Sequence, residues 1–476
     1  MSDILLKSLR GDNLSYLLET SLIAGLAVTS AVLFAYNPVL VFAFVLAITI
    51  AFLLAYRPAI ALKIILLTGG IPLEWLGATN PDEKPLMRAF GGTSVDGVRL
   101  VILSAVFILI LLKSGRFHIP RELRWYLVFV GFLALTLTYS SARLDGLRLV
   151  VKMIYPVLIF FVTIRFLRKP KQMDSALNYW ITGGVIATVI GILMYTFRGP
   201  SAFMWGDDLR YSSGLIKASP FSMYMMALFF ICYAAWRTTG KHRYVPLVFL
   251  FGLQAMIAQT RITWGALLVG LLVLELSIQR KSGKLLRAPL AVGALALILG
   301  CLVWSSPQLQ HRFFSNEFDP RASALDLIQN LNLSGREAVW GIVYVDYLSH
   351  SPWLGQGPGT SEAFLRDYDP FGSGVPHNEY LRLLHDTGLI GVSLFLIGLG
   401  GLFRFHFVLR RWVVSPRQSM FSATALALLV GYVIEAITDN PLDYYLLFSQ
   451  YVFFTLGLAM NAAHDEMQNA NDPPGA

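Results

Sequence analysis

Long apolar runs, each of a length that crosses a bilayer, are the feature that most constrains how this chain can fold. About fourteen runs of roughly 16–20 residues occur, near 18–35, 39–56, 59–74, 98–112, 125–140, 149–164, 176–197, 220–236, 244–260, 263–279, 288–305, 387–403, 420–437 and 443–460. Without water in the bilayer core, the backbone must satisfy its own hydrogen bonds, which favours helices. The sequence therefore predicts an all-α integral membrane protein with about 14 transmembrane helices.

The composition agrees with a membrane protein and argues against two other classes. Charged residues make up only 14% of the chain, whereas soluble proteins carry about 25%. The net charge of +9 does not indicate nucleic-acid binding, because the basic residues lie in short clusters between apolar runs. Cys232 and Cys301 both lie inside apolar runs, so neither a disulfide framework nor a cysteine metal site is predicted.

The positions of the basic clusters predict the orientation of the chain. If the spans alternate, the same side of the membrane receives Lys7 and Arg10, Arg57, and the clusters around 113–124, 165–171, 237–243, 280–287 and 404–417. By the positive-inside rule that side is the cytoplasm. Both termini are then cytoplasmic, and the long loops near 75–97 and 306–386 lie outside.

This topology divides the chain into five predicted regions. They are N-terminal spans (1–204), spans carrying arginine motifs (205–305), one large external loop subdomain (306–386), C-terminal spans (387–462) and a polar cytoplasmic tail (463–476). Within the loop subdomain, Val339, Trp340, Val343 and Tyr347 share one face of a predicted helix. Such an amphipathic helix is expected to lie on the membrane surface.

Three polar residues on the external side are candidates for chemistry. Arg210 precedes a span, Arg261 lies between two spans with almost no loop, and His377 stands just before an apolar helix. A charge at membrane depth is costly and is a functional candidate by default. Arginine binds phosphate through a planar, permanently charged fork, and histidine is the common base near neutral pH. Together they suit transfer of a sugar from a lipid diphosphate to a hydroxyl group.

Each candidate also has a plainer interpretation. An interfacial arginine is often a snorkelling anchor, and a lone loop histidine is often only solvated. His385 follows His377 by two helical turns, but the usual pair of metal-binding histidines four residues apart is missing. Asp207 and Asp208 are adjacent and point in different directions, so a solvated turn is the simpler interpretation. No metal site is predicted.

Several motifs resemble those of the O-antigen ligase/polymerase superfamily of bacterial membrane glycosyltransferases. In order, they are Arg336-Glu-Ala-Val-Trp340, Pro352-Trp-Leu-Gly355-Gln-Gly357, His377-Asn378-Glu379-Tyr380-Leu381 and Gly388-Leu-Ile-Gly391. Upstream, Arg210-x-x-x-Gly214 before Ser219-Pro220, and Thr260-Arg261, are similar to the family's arginine segments. Departures are an extra residue between Arg210 and Gly214, Ser219-Pro220-Phe221 where Asn-rich sequence is common, and Thr260 where the family has Ser.

The resemblance implies a specific activity. Arg210 and Arg261 would bind the diphosphate of an undecaprenyl-diphosphate-linked glycan, and His377 would be the base of an inverting, metal-independent transfer without a cofactor. Arg336, Asn378 and Tyr380 would support the site. The acceptor would be a glycan or lipid A-core at the periplasmic face of the inner membrane, and the partners would be membrane lipid and other polysaccharide-assembly proteins, with no nucleic acid.

Two alternatives stay open at this point. A polysaccharide polymerase would use the same donor chemistry as a ligase, and protein O-glycosylation would differ only in the acceptor. A transporter or flippase for lipid-linked oligosaccharide would also need arginines facing a diphosphate. Many transporters are built of repeats with paired broken helices, and the sequence contains a single asymmetric external loop and no visible repeat of that kind.

Overall fold

The structure is a computed structural model of the full chain. It describes residues 56–70, 103–110, 112, 119–198, 204–205, 208–209, 211, 218–279, 287–314, 330, 332–333, 335–368, 374–410 and 415–471. Several expectations lie outside these residues: the first two predicted spans, the external loop near 75–97 and Arg210 with Gly214.

The regular secondary structure of the described residues is helical apart from one short hairpin. The helices are Pro58–Thr68 (α1), Arg124–Thr136 (α2), Arg143–Phe166 (α3), Pro170–Arg198 (α4), Ala218–Thr239 (α5), Val245–Ile257 (α6), Arg261–Gln279 (α7), Arg287–Ser305 (α8), Pro307–Phe313 (α9), Arg336–Ser349 (α10), Thr360–Tyr368 (α11), Glu379–Arg410 (α12), Pro416–Thr438 (α13) and Gln450–Asn471 (α14). The hairpin pairs Met204–Trp205 (β1) with Asp208–Leu209 (β2) in antiparallel fashion. A π-helical turn, Tyr445–Ser449, leads into α14.

Eight helices in the described residues are long and apolar enough to cross a membrane. They are α3, α4, α5, α7, α8, α12, α13 and the combined π turn and α14, and each coincides with a predicted span. The helices α1, α2 and α6 also fall on predicted spans but are shorter, at 11, 13 and 13 residues. A multispan membrane protein is therefore confirmed, while the total of about 14 stays a prediction.

Local sequence signals set where several helices begin. The hydroxyl of Ser415 accepts a hydrogen bond from the Gln418 amide at 3.2 Å, and Pro416 occupies the first turn of α13. Ser306 caps α9 in the same way, again followed by a proline. A serine N-cap satisfies an otherwise unpaired amide, and proline in the first turn lacks an amide that needs pairing.

The ends of the helices separate the charged loops from the candidate residues. At one end, Arg417 at the start of α13 makes a bidentate ion pair with Asp174 at the start of α4. At that same end, Asn461 of α14 donates to the carbonyls of Thr163 and Leu167, where α3 terminates. The opposite end collects the starts of α5, α7 and α12 and the end of α13, which are the positions of the candidate site.

The core is centred on α5, whose residues from Pro220 to Ala235 are all buried. It packs on α6, α7 and α13, while α14 lies between α3 and α13. By contrast, α8 lies at the periphery, and its Leu290 and Leu297 are about 70% exposed. A peripheral apolar helix of this kind is stable only when lipid covers it.

The helices α10 and α11 pack against the start of α12, and here the predicted membrane face of α10 is corrected. Val339 and Val343 of α10 are buried with Leu365 of α11, and Tyr347 is buried as well. The helix itself is present as predicted. Its Val339–Val343–Tyr347 face contacts protein because α11 and the first turns of α12 supply an apolar surface for it.

Two glycines allow the turn before α11 to lie directly on α12. Gly388 has a left-handed φ of 64° inside α12, and a side chain there would meet the Trp353 carbonyl at 2.4 Å. A side chain on Gly355, which also has a positive φ, would lie 2.5 Å from the carbonyl carbon of Asp386. Only glycine adopts this conformation without a steric penalty, so Gly355 and Gly388 permit a backbone contact that larger residues would prevent.

Candidate functional site

Asp439, directly after the last residue of α13, is the residue on which the candidate site converges. Its carboxylate is only 2% exposed. One oxygen accepts the hydroxyl of Ser219 at the start of α5. The other accepts the Asn440 amide at 2.8 Å and the Tyr444 hydroxyl at 3.3 Å. A buried carboxylate needs such partners to offset the loss of hydration.

His377 lies against this carboxylate. Its Nδ1 is 3.4 Å from Asp439 Oδ1, and 28% of its side chain is exposed. The residue therefore has one ring nitrogen on a buried acid and keeps partial access to solvent. This is the arrangement in which a carboxylate fixes the tautomer of a histidine and leaves Nε2 as a proton acceptor.

The motif residues around His377 position it through the backbone. The Trp340 indole donates to the Pro376 carbonyl at 2.7 Å, directly before the histidine. Asn378 caps α12 by accepting the Leu381 amide at 3.0 Å. Tyr380 donates to the Val433 carbonyl at 2.9 Å, which ties α12 to α13. These contacts hold both sides of the His377 turn.

Arg336, the first residue of the Arg-x-x-x-Trp motif, fixes the other side of the site. Its guanidinium donates to the Thr438 carbonyl, where α13 ends. Its charge also acts on Glu435 and Asp439. Because Arg336 and Trp340 lie one turn apart on α10, this helix connects the end of α13 to the backbone before His377.

The pKa of Asp439 follows from these neighbours. Burial by itself raises the pKa of the carboxyl, but the hydrogen bond and charge of His377, the charge of Arg336 and the Ser219 hydroxyl outweigh it. The net pKa of Asp439 is below its ordinary value. Asp439 is therefore ionised at neutral pH and can stabilise a protonated His377.

Arg261, the first residue of α7, lies beside a second arginine that sequence reasoning missed. Arg261 donates to the Arg312 carbonyl at 2.7 Å, and Arg312 Nε donates back to the Gln259 carbonyl at 3.0 Å. These two contacts tie the backbone at Arg312 to the start of α7, so both arginines belong to this end of the helix. Two arginines at one end of a helix suit an anion with more than one negative charge.

The backbone is strained next to both predicted motifs. Among the residues that the structure describes, the only non-glycine residues with positive φ are Gln259 (54°) and His377 (48°). One lies two residues before Arg261, and the other is the predicted base itself. Such conformations cost about 1–3 kcal/mol and concentrate at functional sites. This geometry marks the two segments independently of their motifs.

Helix packing brings the arginine pair to the same end of the bundle as His377. The helices α7 and α13 run antiparallel and pack extensively. Thr263 in the first turn of α7 lies beside Glu435 in the last turn of α13. Arg261 is therefore level with the end of α13, where Asp439 and His377 meet. Arg210 lies outside the described residues, so its relation to this end stays a prediction.

A second charged cluster, also missed from the sequence, joins Arg382 in the first turn of α12 to Asp443 after the end of α13. The buried guanidinium of Arg382 contacts Glu362, lies 3.1 Å from Asp443 and lies 3.5 Å from Glu379. Lys152 of α3 also pairs with Asp443. Burial raises the pKa of Asp443, but Arg382 and Lys152 more than reverse this and lower the pKa below its ordinary value.

His385 belongs to the framework of the subdomain. It is fully buried, with Nε2 2.8 Å from Asp346 of α10 and Nδ1 3.3 Å from Asp386. Asp386 also accepts the Gly359 and Ser361 amides, both at 2.8 Å. This network links α10, α11 and α12, so His385 does more than pack one helix face.

A signal for Asp439 was present in the sequence, but it was weak. Asp439-Asn440-Pro441 lies between two apolar runs, and an acid in a short turn at membrane depth is a functional candidate. Nothing in its spacing connects it to His377, which lies 62 residues earlier. Arg312 and Arg382 likewise become visible only once their contacts are known.

The comparison with protein families agrees with this picture. A family model described as "O-Antigen ligase" matches residues 246–396. The matched segment contains Arg261, Arg312, Arg336 and His377, whereas Asp439 lies beyond it. No curated protein matches the chain significantly. The match over residues 246–396 supports the O-antigen ligase/polymerase superfamily, which is the family that the motifs resemble.

Proposed function

We propose that this protein transfers a glycan from undecaprenyl diphosphate to an acceptor hydroxyl at the periplasmic face of the inner membrane. The proposal rests on the contact between His377 and Asp439, which lies at the end of α13. The start of α7, with Arg261, packs beside the same end of α13. Together they combine a base, an acid that holds the base, and a cationic site.

The proposed mechanism assigns one role to each group. His377 Nε2 accepts the proton of the acceptor hydroxyl while the hydroxyl oxygen forms its bond to the anomeric carbon. The bond from that carbon to the diphosphate oxygen breaks, and the leaving diphosphate takes both electrons. The charge of Asp439 stabilises the imidazolium that forms. Arg261 and Arg312 stabilise the negative charge that develops on the leaving group.

The direction of attack and the independence from metal belong to this proposal. Attack from the side opposite to the diphosphate inverts the anomeric centre. Two guanidinium groups supply the positive charge that a divalent cation supplies in other phosphate sites. Arg210 is proposed as a further diphosphate ligand on the basis of its motif. Arg336, Asn378 and Tyr380 are proposed to position the reacting groups without touching the substrate.

The orientation of the site is supported by the distribution of charge. The loops rich in lysine and arginine follow α3, α5, α7 and α12, at the end of the bundle opposite His377. By the positive-inside rule the His377 end then faces the periplasm. Both termini are proposed to be cytoplasmic. Ligase and polymerase activities would share this site, since they differ in the acceptor.

The test is turnover of a lipid-linked glycan by purified protein in nanodiscs, measured as released undecaprenyl diphosphate. His377→Ala is expected to lose about 10²–10⁴-fold, the usual weight of a general base, while donor binding persists. Arg261→Lys keeps the charge but loses the bidentate fork and is expected to lose activity and donor affinity together. Added EDTA is expected to have no effect.

The controls follow from the structure. His350, at the end of α10, has an exposed side chain, so His350→Ala is a matched control that is expected to turn over normally. His385→Ala is a poor control because it removes a buried framework residue. Normal turnover by His377→Ala, or loss of wild-type activity in EDTA, contradicts the mechanism. Movement of intact donor across the bilayer without diphosphate release would instead indicate a transporter.

A further inference from the structure

The helix α10 exposes an apolar face opposite to the one that it buries. The exposed positions of this helix after Glu337 are Ala338, Gly341, Tyr344, Val345, Leu348 and Ser349, and none of them is charged. Tyr344, Val345 and Leu348 are 48–66% exposed. A helix at a protein–water boundary normally places charged residues on its outer face. The outer face of α10 therefore needs a cover other than water.

The turn after α10 continues this surface. Trp353 and Leu354 follow the helix by a few residues and are 65% and 45% exposed. The Tyr347 hydroxyl donates to the Pro352 carbonyl at 2.9 Å, which holds the turn against the helix. We name the exposed side chains of Tyr344, Val345, Leu348, Trp353 and Leu354 the α10 apolar surface.

Hydrogen bonds fix the height of this surface relative to the membrane. The Leu389 amide donates to Pro352 O at 2.9 Å, and the Ile390 amide donates to Trp353 O at 3.2 Å. Both amides belong to α12, one of the membrane spans. Leu389 and Ile390 are themselves exposed and begin a stripe with Leu396 on the outer side of α12. The α10 apolar surface is thus continuous with a surface that faces lipid.

The charge pattern of α12 locates the edge of the hydrocarbon. The helix is uncharged from Thr387 to Phe403, and Asp386 and Arg404 flank this stretch. At 1.5 Å per residue the stretch covers about 25 Å, close to the hydrocarbon thickness of about 30 Å once the Arg404 side chain snorkels. The bonds to Leu389 and Ile390 therefore hold Trp353 at the outer edge of the hydrocarbon.

We infer that the α10 apolar surface inserts into the outer leaflet, at the boundary between head groups and acyl chains, and anchors the external subdomain there. Tryptophan and tyrosine favour this depth because their rings are apolar with one polar group. The α10 helix also carries Arg336 and Trp340, which contact the backbone on both sides of the candidate site. Lipid contact would thereby set the height of the site above the bilayer. The inference does not depend on the transfer reaction.

Spin labelling in nanodiscs tests this directly. Cysteines replace Val345, Leu348 and Leu354 one at a time in a Cys301→Ser background, in which Cys232 is fully buried. At all three sites the spin label is expected to collide more often with oxygen than with a water-soluble nickel chelate. The ratio is expected to correspond to a label depth of about 5–10 Å. Leu396→Cys is the lipid-facing control, and Asp367→Cys, exposed on α11, is the aqueous control.

Two outcomes overturn the inference. Nickel access at the three sites equal to that at Asp367→Cys places the surface in water. Low access to both reagents, with spin–spin broadening that grows with the number of copies per disc, indicates a second copy of the chain instead.

A fluorescence measurement needs no spin label, so the label cannot perturb the result. In discs of brominated lipid, wild type is expected to lose more tryptophan fluorescence than Trp353→Phe, because Trp353 lies within reach of the quencher. Equal quenching of the two proteins also overturns the inference.

Discussion

Arg382 provides the sharpest test of how this fold is stabilised. Its guanidinium is 1% exposed and faces Asp443 at 3.1 Å and Glu379 at 3.5 Å, with Glu362 also in contact. Lys152 is the only other basic side chain in this cluster of five ionisable groups. Replacing Arg382 by Met keeps much of the side-chain volume but leaves Lys152 as the one basic partner of three carboxyl groups.

The expected cost follows from these distances. At an effective dielectric constant of about 20, the 3.1 Å contact between Arg382 and Asp443 is worth about 5 kcal/mol of Coulomb energy. Most of that energy offsets the desolvation of the buried ions. Removing one partner of a buried ion pair typically costs about 3–5 kcal/mol, because an uncompensated charge remains. Asp443, which Arg382 and Lys152 keep ionised by lowering its pKa below the ordinary value, is the carboxylate that loses most.

The assay is unfolding of the purified protein by SDS in mixed micelles, followed by intrinsic fluorescence. Arg382→Met is expected to lower the free energy of unfolding by about 3–5 kcal/mol. Adding Asp443→Asn should recover part of this loss, since the carboxylate that faced Arg382 is then neutral. The matched control is Arg417→Met, which breaks the more exposed pair with Asp174 and should cost at most about 1 kcal/mol.

If Arg382→Met unfolds at the same SDS mole fraction as Arg417→Met, the cluster is not the stabilising element inferred from its geometry. If the double variant is no more stable than Arg382→Met alone, the charge on Asp443 is not the source of the loss.

Three further predictions concern the turn, the charged cluster and the histidine. Gly388→Ala places a side chain on the Trp353 backbone at a left-handed φ and should cost about 1–3 kcal/mol, whereas Gly400→Ala, with nothing within 4 Å, should be neutral or slightly stabilising in the same SDS assay. Because neighbouring cations lower the pKa of Asp443 in the folded state, its contribution to stability is complete above the ordinary carboxyl pKa of about 4 and is lost as the pH falls further. The stability difference between wild type and Asp443→Asn should therefore narrow below about pH 4; a constant difference across the pH series argues against the ion pair. Trp340→Phe removes the donor to the backbone before His377 and should slow diphosphate release while donor affinity stays unchanged; an unaltered rate would show that this hydrogen bond does not position the histidine.

The sequence by itself determined those elements of this protein that depend only on interactions within one contiguous segment. A bilayer requires every backbone amide and carbonyl to be paired within the segment, so runs such as 220–236 and 288–305 had to be helices, and both are. The basic loops predicted which helix ends share a side, because that preference acts on each loop separately. The Arg-x-x-x-Trp and His-Asn motifs were recognisable because each is short and contiguous.

Tertiary structure decided which distant residues meet. The Asp439 carboxylate pairs with His377, Ser219 and Tyr444 only because α5 and α12 begin where α13 ends. No periodicity connects these positions, and each contact depends on how two helices pack.

The same reason explains the two faces of α10 and the pairing of Arg312 with Arg261. The sequence pattern marked an apolar face of α10 but could not say whether protein or lipid covers it. Packing of Val343 against Leu365 decided that question for one face and left the other exposed beside the membrane spans. Side-chain partners are a property of the assembled bundle, because burial free energy depends on the neighbours that folding supplies.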